Sequence, residues 1–184
     1  MSGLPRVTQV LAAVGLGPDF TSIPPAILEI AAKRGTMVHE AIEALAYGYF
    51  DESAVDFEIL PYLDAYRCFV AESGHEAIGS EIVVEHPTWR YQGHLDRVGW
   101  LVKRRCILDW KAVATVDVRA AALQLAGYRC AWNAQHPTAP VDLTAVVQLK
   151  GDGTYRYHDL PAAEVEHVFL AALTVYRAQQ ERAT

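Results

Sequence analysis

Glu81, Asp96, Asp109 and Lys111 fall within one stretch of strand-like sequence, the last three inside Gly93-His94-Leu95-Asp96 and Asp109-Trp110-Lys111. Three carboxylates and an ammonium, brought together, would hold a divalent cation against a phosphodiester. Carboxylate oxygens suit hard cations, and an ammonium stabilises charge developing on a phosphoryl oxygen. Crowded acids repel and desolvate badly, so a fold has little reason to collect them unless a cation joins them. A lone Asp-x-Lys is an ordinary ion pair on a solvated face; only the full set in register carries chemical meaning.

Two turns decide the register. His86-Pro87-Thr88-Trp89 reads as a tight turn, because proline starts turns but cannot continue a central strand. With Pro87 and Thr88 as its loop, Glu81 lies opposite His94, and Glu81 and Asp96 share a face. Val102-Lys103-Arg104-Arg105 reads as the next turn. With Lys103 and Arg104 as its loop, Val98 opposes Asp109 and Asp96 opposes Lys111. All four charged side chains then stand on one face of a meander. Ile82, Val84, Leu95, Cys106, Leu108 and Trp110 form an apolar reverse face. A slip of one residue in either turn would put one set of charges on the other side.

The rest of the chain supplies elements that could flank such a sheet. Short helical patterns run from Pro5 to Val14 and from Pro24-Pro25 through Ile27, Ile30, Val38, Ile42 and Leu45, with Gly35 as an expected kink. A helix is predicted over Val55 to Glu72 and another over Arg119 to Gln135, which His136-Pro137 ends. Val141 to Leu149 alternates like a strand, Lys150-Gly151-Asp152-Gly153 marks a hairpin, Thr154 to His158 returns, and Pro161 opens a last helix reaching Arg182. The expected class is α/β (α+β by some schemes), a central mixed sheet with helices on both faces. A single domain over 1–184 is expected, helical over about 1–75 and sheet-centred over about 76–184.

With 184 residues, 52% of them hydrophobic and 21% charged, the chain can bury a full core. Its formal charge of −6 argues against a generally basic nucleic-acid coat but leaves room for a local basic groove. Cys68, Cys106 and Cys130 make no CxxC, which excludes a zinc ribbon or an iron–sulfur cluster and suggests buried free thiols. No signal peptide and no apolar run of membrane-spanning length is seen, so no membrane partner is expected and a cytoplasmic location follows by default.

Two helical positions could join the acids. His39 shares a helix face with Ile42 and Glu43, but His39-Glu40-Ala41-Ile42-Glu43 lacks the second histidine of a zinc HExxH. Gln124 and Tyr128 are four apart on one face and offer amide donors and a stacking ring.

Taken in order, His39, Glu81, Gly93-x-x-Asp96, Asp109-x-Lys111 and Gln124-x-x-x-Tyr128 resemble the PD-(D/E)XK nuclease superfamily, specifically its RecB-like exonuclease branch. Thr8-Gln9-Val10-Leu11 and Arg34-Gly35-Thr36-Met37-Val38-His39 resemble the N-terminal part of its small stand-alone members, the phage-type and mitochondrial genome-maintenance exonucleases. The resemblance spans Pro5 to Trp132 and implies a restriction-endonuclease-like core. It implies one or two Mg²⁺ or Mn²⁺ ions held by His39, Asp96, Asp109 and the Trp110 backbone carbonyl, with Glu81 holding a second ion or its waters. Lys111 would orient the attacking water. Gln124, Tyr128, Arg34 and Arg97 would contact DNA. The implied activity is a metal-dependent DNA exonuclease acting on single strands or DNA ends. A structure-selective endonuclease of the same fold and a catalytically inactive nucleic-acid-binding protein stay open as alternatives. So do an oligomer and a separate helicase or recombination partner, since no GxxxxGK[ST] occurs here.

Overall fold

The computed structural model describes residues 3–183. Five helices and five strands follow in the order α1 (Val7–Ala13), α2 (Pro25–Tyr47), α3 (Leu60–Ser73), β1 (Glu76–Glu85), β2 (Gln92–Leu101), β3 (Arg104–Lys111), α4 (Val118–Gln135), β4 (Leu143–Leu149), β5 (Tyr155–Asp159) and α5 (Glu166–Ala183). The sheet order is β1-β2-β3-β4-β5. β3 and β4 are parallel, joined by the α4 crossover; the other pairs are antiparallel. The expected mixed sheet between helices is therefore observed. Among the described residues no helix is long and apolar enough to cross a membrane.

Proline opens α2 at its first position, and Gly48 and Gly74, both left-handed, close α2 and α3. The expected interruption at Gly35 does not occur: α2 runs as one helix through it, the half-buried glycine weakening the helix without ending it. The helix predicted from Val55 starts only at Leu60; the Asp51 and Asp56 side chains accept from Ser53 and Glu58 N–H groups and wind the preceding residues into two short 3₁₀ turns. Cys106 is buried but Cys68 is exposed, against the expectation of buried thiols throughout.

Two cores sandwich the sheet. One joins Val7, Leu11, Leu125 and Phe169 of α1, α4 and α5 to Val84, Leu95, Val98, Ile107 and Val146. The other joins Val38, Ile42, Leu63 and Phe69 of α2 and α3 to Cys106, Leu108, Trp110, Ala145 and Val147. The single apolar reverse face expected from sequence is thus divided: Ile82, Val84 and Leu95 belong to the first core, Cys106, Leu108 and Trp110 to the second.

Both turns differ from the sequence reading by an even step. Ile82 pairs with Leu95 and Glu85 with Gln92, so the first loop spans four residues, Pro87 to Arg90. The His86 imidazole causes this: its Nδ1 accepts the Thr88 and Trp89 N–H groups at 3.2 and 3.0 Å and props the loop open. In the second turn Leu101 pairs with Arg104, and the loop is Val102-Lys103, with φ of 49° and 61°. Two consecutive left-handed residues match the right-handed twist of the strands. Each pairing moves by two residues, which by itself would keep side chains on their faces; the four charges expected on one face are nevertheless divided, Glu81 and Asp96 toward α2 and Asp109 and Lys111 toward α4.

The alternation itself breaks beside the acids. Leu95 and Val98, three apart, both enter the first core, while Arg97 turns to the Tyr66 and Trp110 rings of the second. The pairs Ser80–Arg97 and Ile82–Leu95 bracket Glu81 and Asp96, which form no ladder pair, and Glu81 has φ of 50°. The two acids thus drop out of the ladder, as Ile78 does at the register shift between Ala77 and Gly79.

At the far end of β2, His75 packs against Gly99; a Cβ there would lie 2.3 Å from the imidazole Cε1. Burial, and then the Arg97 charge, push the His75 pKa down to about 4.

Two outcomes follow from these local features. Replacing Val102-Lys103 with Asn-Gly relieves a β-branched residue held at positive φ and is expected to raise unfolding free energy by about 1 kcal/mol in urea melts. Because His75 protonates more readily unfolded than folded, its contribution to stability is present above about pH 6.5 and is lost as pH falls toward about 4. A His75→Phe variant is expected to show a shallower loss of melting temperature across that window.

Candidate active site

Pairing between β2 and β3 stops at Arg97–Leu108. Beyond that point β3 continues beside β4, through Asp109–Val146 to Lys111–Gln148, while β2 departs. The gap would strand the Trp110 N–H, a donor that must find an acceptor when buried. The Asp96 carboxylate takes it: Oδ2 accepts from Trp110 N–H at 2.8 Å. The break in alternation at Asp96 turns this side chain into the gap.

α2 closes the gap from the other side. His39 Nε2 lies 2.9 Å from the Trp110 carbonyl. A carbonyl only accepts, so Nε2 carries the proton, and in the neutral ring the Nδ1 lone pair is left free. That lone pair faces Asp96 Oδ1 at 3.6 Å and Glu81 Oε1 at 4.0 Å. Three electron-rich atoms pointing together are unstable without a cation or a proton among them. The donor atoms of His39, Glu81 and Asp96 lie within 4.8 Å of one another, a spacing that one divalent ion can bridge. An imidazole held by a backbone carbonyl is the usual outer support of a metal-bound histidine. The residues present fit a cation.

Asp109 stands beside this group, on the α4 side. Its side chain is 4% exposed and pairs with Lys111 Nζ at 2.9 Å. Gln124 Nε2 donates to Asp109 Oδ1 at 2.9 Å and to the Tyr128 hydroxyl at 3.2 Å. Tyr128 comes this close because position 93 is glycine: a Cβ on Gly93 would lie 2.5 Å from the tyrosine ring. Burial and then the Asp109 and Asp96 charges hold the Tyr128 phenol well above its ordinary pKa, so it stays neutral.

The electrostatics are those of crowded anions. Burial first, and then the Asp109 charge, push the Asp96 pKa up to about 7, against the lowering effects of His39, Lys111 and the Trp110 N–H. For Lys111, burial works against the ammonium, but Asp109 and Asp96 outweigh it and hold its pKa above the ordinary value. The carboxylates keep the lysine charged, and the lysine alone does not neutralise them.

His39, Glu81, Asp96, Asp109, Lys111, Gln124 and Tyr128 are therefore brought together. Three expected roles change. Arg97 is 1% exposed, donates to the Tyr66 hydroxyl and lies 5.9 Å from the Trp110 ring centre, so it reaches no surface at which DNA could be held. Arg34 lies over Tyr62 and donates to the Ala112 carbonyl, which ties α2 to the loop after β3 and leaves it half-buried. The Trp110 carbonyl, expected to bind a metal, accepts from His39 instead. The Gln124 amide is spent on Asp109 and on the Tyr128 hydroxyl.

Two contributors carried no sequence signal of their own. Gln148, opposite Lys111, donates to the Val113 and Ala114 carbonyls and fixes the loop beyond the lysine. His94 Nε2 lies 3.2 Å from Glu81 Oε2. Its position two residues before Asp96 was the only available hint.

The chain matches no protein-family model and no curated protein. Among solved structures it is similar to LHK-Exo in complex with dAMP, at 14% identity and a TM-score of 0.49 over 98% of this chain and 91% of that one. It is similar to the alkaline exonuclease LHK-Exo from Laribacter hongkongensis, at 13% identity and a TM-score of 0.47 over the same shares. SSO0001 is similar at 13% identity and a TM-score of 0.48, over 98% of this chain and 77% of that one. Overlap this loose transfers no residue role.

The raised Asp96 pKa has a measurable consequence. Unfolded, the group ionises near the ordinary carboxylate value of 3.8; folded without metal, it ionises at about 7. Its ionised form therefore costs stability progressively as pH rises between those values, and fully above about 7. In chelator, Asp96→Asn is expected to melt higher than the parent at pH 8, with the gap closing toward pH 4. Mn²⁺ is expected to raise the melting temperature of the parent but not of the variant.

Proposed function

We propose that this protein is a divalent-metal-dependent deoxyribonuclease that hydrolyses phosphodiester bonds at DNA ends. One observation carries the reading: the His39 Nδ1 lone pair, Glu81 and Asp96 converge on a single point beside the Asp109–Lys111 ion pair. Anionic and imidazole donors suit Mg²⁺ or Mn²⁺, with the imidazole favouring Mn²⁺. His39, Glu81 and Asp96 would hold the ion, and Asp109 would complete its surroundings. A bound ion supplies Lewis acidity and a water of lowered pKa.

The chain's own groups divide the remaining work. Lys111 presents an ammonium that Asp109 and Asp96 keep charged, next to the point where a phosphoryl oxygen gains negative charge. Asp109 holds Lys111 in place and is itself held by Gln124. Tyr128, buried beside them, accepts from the same Gln124 amide. The preference for ends over internal sites is supported by the ordered RecB-like motifs, Gln124-x-x-x-Tyr128 among them.

The test is cleavage of single- and double-stranded DNA with Mg²⁺ and Mn²⁺. The parent is expected to degrade linear substrates and to spare closed circular ones. Asp109→Asn and Lys111→Ala are each expected to lower kcat by about 10²- to 10³-fold, the cost of removing one preorganised electrostatic contact. Undiminished cleavage by both variants would sink the mechanism, and rapid cutting of circles would sink the preference for ends.

A further inference from the structure

Two clefts meet at Glu81 and His94, and their charges are opposite. The cleft on the α2 side, about 470 Å³, is lined by Thr36, His39 and three carboxylates: Glu40, Glu43 and Glu81. The cleft on the α1 side, about 280 Å³, is lined by no carboxylate among the described residues. Its lining includes Arg6, Thr8, Val83, Gln92, His94 and Tyr128. A phosphodiester chain carries a charge at every residue; with a divalent ion on His39 and Glu81, Glu40 and Glu43 still leave the α2 cleft less favourable to it than the other.

The α1 cleft is also built to hold its shape. The Gln92 N–H donates to the Pro5 carbonyl at 2.9 Å, the Gln92 amide donates to the Leu4 carbonyl at 2.8 Å, and Arg6 bridges to Gln92 along the strand direction. These contacts fix the Arg6 backbone against the start of β2. The Arg6 side chain forms no ion pair among the described residues. At the inner end stands His94, whose side chain is 57% exposed while one nitrogen lies against Glu81. It offers an aromatic face beside exposed Val83 and buried Tyr128.

We propose that the substrate strand follows the α1 side of the site. The cleft takes the nucleotide adjoining the scissile phosphate, Arg6 pairs with a phosphate of that strand, and the His94 ring supports a base or sugar. This assignment rests on the hydrolytic reading above and adds to it the path of the strand and two contact residues. Every base has a π face, so such a platform binds single strands with little regard to sequence.

The experiment is a fluorescence-anisotropy titration of a labelled single-stranded DNA oligonucleotide, with Ca²⁺ in place of Mg²⁺, across a series of salt concentrations. Arg6→Glu is expected to weaken binding by about tenfold and to lower the slope of log K against log salt by about 0.7, one phosphate contact on a single strand. His94→Ala is expected to weaken binding by about threefold or more, and His94→Phe to restore it, since stacking rather than the ring nitrogens supplies the contact. Glu40→Gln and Glu43→Gln are expected to leave binding unchanged or tighten it. Arg6 and His94 are exposed, so their variants are expected to melt like the parent. Parent-like affinity and salt slope in both Arg6→Glu and His94→Ala would overturn the strand path while leaving hydrolysis by the parent standing. Weakening by Glu40→Gln and Glu43→Gln equal to that of Arg6→Glu would overturn it too. A parent that cleaves no DNA with Mg²⁺ or Mn²⁺ would overturn the hydrolytic reading, and this one with it.

Discussion

The hydrogen bond from the Trp110 N–H to Asp96, 2.8 Å long, stands where two structural demands conflict. A site for a charged substrate needs β2 and β3 to separate. A buried backbone donor needs a partner, and separation removes the one the ladder would have provided. Asp96 resolves the conflict by taking the place of a strand carbonyl. The same residue of β3 is held on two further sides: its carbonyl accepts from His39, and its indole lies edge-on to Tyr66 and Phe69 of α3. Trp110 thus joins the sheet, α2 and α3 at the one place where the sheet opens.

Everything charged in the site is arranged around that opening. Asp96 is spent at one oxygen on the backbone and turns the other toward His39. Asp109, next to Trp110 on β3, points to the opposite side and is braced by Lys111 and Gln124. The two carboxylates therefore approach the gap from different layers, one with the α2 side and one with the α4 side. Their repulsion is held in place by packing, which is the condition under which a cation gains most from binding between them.

Most elements were legible in the sequence because each carries a local cause. Pro25 opens α2, Gly48 and Gly74 stop helices in the left-handed region, and His136-Pro137 ends α4. The turns were located but not sized. No local rule announces that the His86 imidazole will cap two backbone N–H groups and lengthen its loop, or that Val102 and Lys103 will take a conformation usually given to asparagine and glycine. The two errors were both even, yet the four charges do not share one face: the break in alternation turns Glu81 and Asp96 to the α2 side, while Asp109 and Lys111 stay on the α4 side. The roles of Arg34 and Arg97 did not survive, because a cation beside a ligand in sequence can be turned into the core as easily as out of it, and the break in alternation at Asp96 turned Arg97 inward.

The sequence alone determined the residue types, their order along the chain and the alternation within each unbroken run of strand; these depend on covalent connectivity and on the two-residue period of a strand. The break in that period was decided only in three dimensions, since it arises where β1 and β2 twist away from a β3 that stays paired to β4. So was the free lone pair on His39, which depends on a carbonyl 71 residues away in the chain. Distances and tautomers of this kind are properties of tertiary packing: they follow from which backbone groups are left without partners once the sheet has opened.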